Sequence, residues 1–391
     1  MTRKVIMTQG KIGRAEIISR ARRVVIKIGS AVVASRTKGV DGRRIRALAD
    51  DFAYLREKGI EVIVVTSGAV AAGMGKLGLT ERPKTIDLKQ AAAAVGQSTL
   101  IRMYEKNLAR HGIHAGQMLL TGADLHDRRR FLNARNTLNK LIEFGVIPVI
   151  NENDTVSVEE LKFSDNDNLA AMVTNLAEAD TLVILSDVDG LYDKDPANRD
   201  AKLIGEVGEV TDEVCRMAGG SCSALGTGGM MSKLTAAKKA AATGAACFII
   251  NGKKTGNIRK LFEGSTGARG RSTGGTLILP SVDKLNSRKH WIAYSLRAKG
   301  KITVDDGAAR AILTKGRSLL PSGIKAAAGN FEAGDAVEIC REDGSIIARG
   351  LMHYSRHELE KIMGKKSSEI EEILGYKYCD EAIHRDNLAI I

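Results

Sequence analysis

Across residues 22–280, short apolar runs of strand length alternate with longer stretches whose apolar positions recur at helical spacing. Residues 23–29, 61–66, 114–120, 146–150, 181–185 and 246–250 read as strands, each a compact and largely apolar run. Helices are expected between them. One is capped by Asp41 and stopped at Gly59, and others cover 86–110, 127–144 with Gly145 as the stop, 168–176, and 230–242 ending near Gly244. Ser67-Gly68-Ala69 is a small-residue turn that opens a further helix. This βα alternation predicts an α/β domain, a mostly parallel sheet sandwiched by helices.

Beyond Pro280 the texture changes. Residues 301–304, 336–340 and 345–350 are short strand-like pieces separated by Gly and Asp turns, which predicts a small β-rich domain. The expected division is an N-terminal extension at 1–21, an α/β domain at 22–280, a linker at 281–297, and a β-rich domain with its C-terminal tail at 298–391. A chain of 391 residues with 43% hydrophobic content has enough apolar material for two cores. The Gly/Arg-rich stretch 264–275 reads as a flexible loop, because glycine at that density is costly to order.

No run approaches the roughly 20 apolar residues that a membrane-crossing helix needs. The basic N-terminus has no apolar segment or cleavage site of a secretory signal, so no membrane association and a cytoplasmic location are expected. Five cysteines are scattered without a C-x-x-C pair, which predicts reduced structural thiols. The formal charge of +13 raises the question of nucleic acid. Residues 295–391 hold fifteen basic and fifteen acidic side chains, so the excess lies before them, where a basic surface suits anionic nucleotides.

The chemistry-bearing positions fall at strand ends. No P-loop pattern is present. A literal G-x-G-x-x-G at Gly73, Gly75 and Gly78 starts too far beyond its strand for dinucleotide binding, and reads as chance or loop packing. Lys27-Ile-Gly-Ser30 ends the first strand, where an open α/β sheet binds ligands. A lysine inside an apolar strand wants an anionic partner; the bland alternative is a snorkelling side chain. Asn151-Glu-Asn-Asp154 follows one strand and Ser164-Asp-Asn166-Asp167-Asn168 precedes a helix, so amides and carboxylates there suit the ammonium of an amino acid, or are a turn and a cap. Ser186-Asp187-Val-Asp189-Gly190 ends another strand, and Gly226-Thr-Gly228-Gly229-Met-Met-Ser-Lys233 opens a helix whose N–H groups favour phosphate.

Lys27 and Lys233 together suggest phosphoryl transfer, which needs positive charge and in-line placement more than covalent chemistry. A carboxylate acceptor would be ionised already and need no base, which fits the absence of a nucleophile–histidine signature. His353 and His357, four apart, read as solvated surface rather than a metal pair.

In order along the chain, Val25-Ile-Lys-Ile-Gly-Ser30, Val64-Val-Thr-Ser-Gly-Ala69, Gln117-Met-Leu-Leu-Thr121, Arg130-Phe-Leu-Asn-Ala-Arg135, Pro148-Val-Ile-Asn-Glu-Asn-Asp154, Asp165-Asn-Asp-Asn-Leu169 and Gly226-Thr-Gly-Gly-Met230 resemble the motifs of the amino-acid kinase family. The tail, with Ile302-Thr-Val-Asp-Asp-Gly-Ala308, Ser318-Leu-Leu-Pro-Ser-Gly-Ile-Lys325 and Gly329-Asn-Phe331, is similar to a PUA domain. The resemblance implies an amino-acid kinase fold and ATP-dependent phosphorylation of the side-chain carboxylate of L-glutamate to L-glutamyl 5-phosphate, the first step of proline biosynthesis. It implies Mg²⁺ held mainly through the ATP phosphates, with no metal-ligating side chain. By the same resemblance Lys27 and Lys233 stabilise the transferring group, and Asp167 orients them. Ser67, Asp154 and Asn166 bind glutamate, while Lys27, Ser186, Asp187, Thr227, Gly228, Gly229, Met230, Met231, Ser232 and Lys233 bind ATP. Feedback inhibition by proline through the segment 154–166 and a homo-oligomer, dimer or tetramer, come with it. Two alternatives stand beside this reading. One is a related carboxylate kinase acting on N-acetylglutamate or aspartate, against which the Asn/Asp clusters and the PUA-like tail speak. The other is RNA binding through the tail, which the tail's zero net charge and few aromatics oppose and its basic half at 295–330 favours.

Overall fold

The computed structural model describes residues 13–35, 39–157, 166–219, 229–263, 274–281 and 298–391. The expectations placed on 1–12, on 264–273, on the linker from 282 to 297, and on Thr227 and Gly228 lie outside the described residues. The chain divides after Ser281 into two compact units, with Asp127–Asn133 grouped with the second.

Up to Ser281 the order is α1 (Arg14–Arg20), β1 (Arg23–Ile28), α2 (Ser30–Val33), β2 (Ala34–Ser35), β3 (Gly39–Val40), α3 (Gly42–Glu57), β4 (Glu61–Thr66), α4 (Ala69–Leu77), α5 (Ile86–Leu108), β5 (Ala115–Leu120), α6 (Gly122–His126), α7 (Arg128–Glu143) and β6 (Ile147–Glu152). Then come α8 (Asn166–Leu176), β7 (Thr181–Ser186), β8 (Glu206–Val207), α9 (Asp212–Met217), α10 (Gly229–Ala242), β9 (Ala246–Asn251), α11 (Asn257–Phe262) and β10 (Thr276–Ile278). Among the described residues eight strands form one sheet in the order β5-β6-β4-β1-β7-β9-β10-β8. Every neighbouring pair is parallel except β9 with β10.

β1 lies near the centre of this sheet, buried on both faces, which is why its sequence is a continuous apolar run rather than an alternation. Val24, Ile26 and Ile28 turn to one face and join a core with Ile45, Phe52 and Leu55 of α3 and with Leu100 and Tyr104 of α5. Each large side chain buried there contributes roughly 1.5–3 kcal/mol. Val25 and Lys27, offset by one residue, turn to the opposite face, where α8 packs on β1. That two-residue period is what aims a lysine of the central strand at α8.

α4 and α5 approach each other through glycine. A Cβ on Gly73 would stand 1.7 Å from the Ala92 carbonyl oxygen, and one on Gly96 would stand 1.9 Å from that of Ala69. Gly73 therefore sits inside a helix as a packing residue, and Gly78 ends that helix in the left-handed conformation at φ 68°. The G-x-G-x-x-G string is a helix-packing feature, not a nucleotide loop. Cys247, Cys340 and Cys379 are free thiols as expected, whereas Cys215 is disulfide-bonded, a departure from the reduced state expected for it.

The second unit holds a five-stranded sheet of β11 (Gly300–Val304), β12 (Ile324–Gly329), β13 (Ala336–Cys340), β14 (Ile346–Leu351) and β15 (Leu388–Ile390), in the order β12-β11-β13-β14-β15. Its core gathers Ile302, Val304, Phe331, Val337, Ile339, Tyr354 and Ile383. Among the described residues it also carries α12 (Asp306–Lys315), α13 (Arg356–Ile362) and α14 (Ile370–Leu374). Asp305 is the N-cap of α12, its carboxylate accepting from Ala308 N at 2.7 Å. His353 is not solvated surface: its Nδ1 lies 2.7 Å from Cys379 Sγ and its Nε2 lies 3.3 Å from Asn387 Nδ2. Glu381 completes a His/Cys/Glu cluster. A tetrahedral ion would hold nitrogen and sulfur roughly 3.6 Å apart, so the closer contact is that of a hydrogen-bonded pair fastening the C-terminal segment.

Candidate active site

Lys27, Asp167 and Lys233 converge at the carboxyl end of β1. Lys27 Nζ lies 2.5 Å from Asp167 Oδ1, and Lys233 Nζ lies 3.2 Å from Oδ2. Ser232 Oγ donates to the same Oδ2 at 2.7 Å, and Lys233 Nζ also donates to the Gly229 carbonyl at 3.0 Å. Asp167 is in the first turn of α8, where the helix dipole favours a carboxylate. Burial alone would push its carboxyl up. Lys27 and Lys233, with hydrogen bonds from Lys27 and Ser232, outweigh burial and hold it well below the usual carboxylate range. Two ammonium groups face one carboxylate, so the cluster carries an excess positive charge at the strand ends.

Next to it, one amide ties three elements together. Asn166 Nδ2 donates to the Thr66 carbonyl at 2.6 Å, to Ser67 Oγ at 2.9 Å and to Asn151 Oδ1 at 3.0 Å, joining the ends of β4 and β6 to the start of α8. Thr66 Oγ1 lies 2.8 Å from the buried Tyr104 hydroxyl, which props the end of β4 from beneath. Asp154 sits in the turn after β6, and burial pushes its carboxyl up to about 6. Ser67, Asn166 and Asn151 are thus in one hydrogen-bonded group, with Asp154 in the turn beyond it.

On the other side of β1, Ser186 closes β7, buried, with Oγ 3.5 Å from Asp187 Oδ1 and from Val188 N. Asp187 is half exposed and 3.9 Å from Lys253 Nζ. Asp189 accepts from Asn251 Nδ2 at 2.9 Å and pairs with Lys254 at 2.6 Å, and the Lys254 hydrogen bond is the main reason its carboxyl lies below its ordinary value. Gly229 opens α10 with φ 76°. The first-turn N–H groups of that helix have no intrahelical acceptor and suit phosphate. Met231 and Ser232 are buried, so Met231 offers a ligand its backbone rather than its side chain, while Met230 is half exposed.

Several residues of this region carry no sequence signal. Gln97, on α5, accepts from Asn151 Nδ2 at 2.7 Å, yet nothing in its Ala-rich surroundings marks it beyond its place between the inward-facing Gly96 and Leu100. Lys253, Lys254 and Tyr104 read as ordinary surface and core.

A buried and a partly buried lysine gathered about one carboxylate at the strand ends of an open α/β sheet are an arrangement suited to phosphoryl groups. Residues 22–251 match the amino acid kinase family and residues 300–374 match the PUA domain. The chain belongs to the amino acid kinase family. It is similar to the glutamate 5-kinase of Geobacter metallireducens, 54% identical over 97% of this chain and 100% of the relative. The glutamate 5-kinase of Syntrophotalea carbinolica is 51% identical over 96% of this chain and 99% of its own. A solved isopentenyl phosphate kinase from T. acidophilum is 19% identical, with a TM-score of 0.43 over 66% of this chain and 99% of its own.

Proposed function

We propose that this protein transfers the γ-phosphoryl group of ATP to the side-chain carboxylate of L-glutamate, giving L-glutamyl 5-phosphate and ADP. The observation that carries the reading is the Lys27–Asp167–Lys233 cluster with its excess positive charge. Full-length similarity to glutamate 5-kinases supports the choice of acceptor.

An ionised carboxylate oxygen attacks the γ-phosphorus, the bond to the bridging oxygen breaks, and ADP leaves with that electron pair. Lys27 and Lys233 offset the charge on the equatorial oxygens, and Asp167 holds both ammonium groups in place. No proton needs to move, because the acceptor is already ionised at neutral pH. Ser67 and Asn166 seat the amino acid, and Asp154 faces its ammonium group. Ser186, Asp187 and residues 227–233, which run into the start of α10, receive ATP.

A Mg²⁺ ion carried on the ATP phosphates fits these residues. Asp167 is taken up by two lysines, and Asp187 and Asp189 each face a lysine, so these carboxylates do not form a cage for an ion. When bound, the ion would draw negative charge off the phosphates. Inhibition by proline through the segment 154–166, homo-oligomeric assembly and a cytoplasmic setting belong to the same reading.

The test is an assay with ATP and Mg²⁺ on glutamate, N-acetylglutamate and aspartate in parallel, with hydroxylamine trapping any acyl phosphate. Hydroxamate is expected from glutamate alone. Product from another acceptor would keep the mechanism and overturn the substrate.

A further inference from the structure

The side-chain amides around Asn166 form a directed chain. Asn166 Nδ2 donates to the Thr66 carbonyl, an atom that only accepts, which fixes the orientation of the first amide. The Asn151 atom 3.0 Å from that Nδ2 must then be its oxygen, and its nitrogen reaches Gln97 at 2.7 Å. The contacted Gln97 atom is therefore Oε1. What remains is Nε2, two N–H donors buried without a hydrogen-bond partner. Such a group costs free energy unless a ligand or a water meets it.

Its position fits one end of an amino acid. Lys27 is on β1 and Asn151 on β6, two strands away in the sheet, a lateral distance of about 10 Å at the usual strand spacing. The two carboxyl carbons of extended glutamate are about 5 Å apart, and a hydrogen bond at each end adds about 3 Å, so a substrate reacting beside Lys27 ends near Gln97. The same face of α5 reaches the turn that bears Asp154, because Gln90, seven residues earlier, donates to the Ser157 carbonyl at 3.4 Å. Asp154 would repel a carboxylate and attract an ammonium group. A neutral amide donor on the helix that reaches this turn supplies what the carboxylate lacks, without adding a cation that would compete for phosphate.

We infer that Gln97 is a substrate-binding, specificity-determining residue whose Nε2 donates to the α-carboxylate of the amino-acid acceptor. The inference rests on the proposed reading of the acceptor as free glutamate.

Gln97→Glu tests it, since the variant keeps the oxygen that accepts from Asn151 and exchanges the donor for a second oxygen. Wild type and variant are compared on glutamate and on its α-amide, which retains the reacting side-chain carboxylate. For the variant, kcat/KM on glutamate should fall by about 100-fold, while on the α-amide, which can donate to the new carboxylate, it should fall far less. An equal loss on both substrates, as a structural role or a bridging water would give, overturns the assignment, and so does no loss on either. Should Gln97→Glu fail to fold by thermal melting, Gln97→Met is read against the same two substrates: the fall should be larger on glutamate, whose carboxylate alone loses a charge-assisted hydrogen bond, and equal losses overturn the assignment. Absence of hydroxamate from wild type on glutamate would instead overturn the parent reading of the acceptor.

Discussion

Lys27 and Asp167 meet at 2.5 Å with both side chains almost wholly removed from solvent, and the second carboxylate oxygen is shared by Lys233 and Ser232. Asp167→Asn would leave two ammonium groups without their counter-charge in a low-dielectric setting. A loss of about 3–5 kcal/mol of stability is expected, together with a fall in turnover of at least about 100-fold. Urea denaturation and the hydroxamate assay read the two effects separately. A variant of wild-type stability would show that the lysines do not depend on Asp167.

Lys233 is the more accessible of the two lysines and lies one turn into α10. Lys233→Ala should lower turnover by about 100- to 1,000-fold with a melting temperature close to that of wild type, because Lys27 and Ser232 still serve Asp167. Near-normal turnover in the folded variant would remove Lys233 from the mechanism.

In the proposed reading, the Asp154 carboxyl, raised by burial to about 6, would give the reaction an acid limb. The ammonium of the substrate needs this carboxylate ionised, so kcat/KM for glutamate should fall about tenfold per pH unit below that value; Asp154→Asn should be poor and flat over the same range. The stability effect has the opposite sign. Since the folded value is raised from 3.8, ionisation weakens the fold as pH rises from about 4 to about 6. Asp154→Asn should therefore melt higher than wild type above pH 6 and match it below pH 4. A pH-independent difference in melting temperature would remove burial of the charge as its cause.

At the crossing of α4 and α5 even one methyl group has no room. Gly73→Ala should cost about 2 kcal/mol or more, read by thermal or urea denaturation. A neutral result would mean the two helices separate freely.

How far this architecture can be read along the chain depends on the length of each signal. β1, β4 and β7 are six-residue apolar runs, and their boundaries were within a residue of the expected ones. β8 and β10, of two and three residues, are too short to show a period, and they passed unseen. Lys27 announced itself as a charge inside an apolar strand. That Asp167 and Lys233 meet it follows only from the parallel sheet and the helices covering it, because no spacing in sequence encodes a contact made across 140 residues. Gly73 was misread because a glycine that lets two helices touch looks the same in sequence as one that bends a loop. Asp305 shows a related ambiguity: an aspartate serves a turn and a helix cap equally well. Gln97 left no trace, since a single amide on an Ala-rich helix becomes distinctive only when its neighbours fix which of its atoms is bonded.

The interlocked backbones of α4 and α5 also bear on how such a site would work as a machine. α4 begins just after Ser67, and α5 carries Gln97 and Gln90. Helices whose carbonyls rest directly on each other's glycines cannot slide without colliding, so these two walls behave as one stiff jaw. Any opening that admits substrate would then have to hinge elsewhere in the chain. In the proposed reading the jaw would be a fixed gauge for the length of the acceptor.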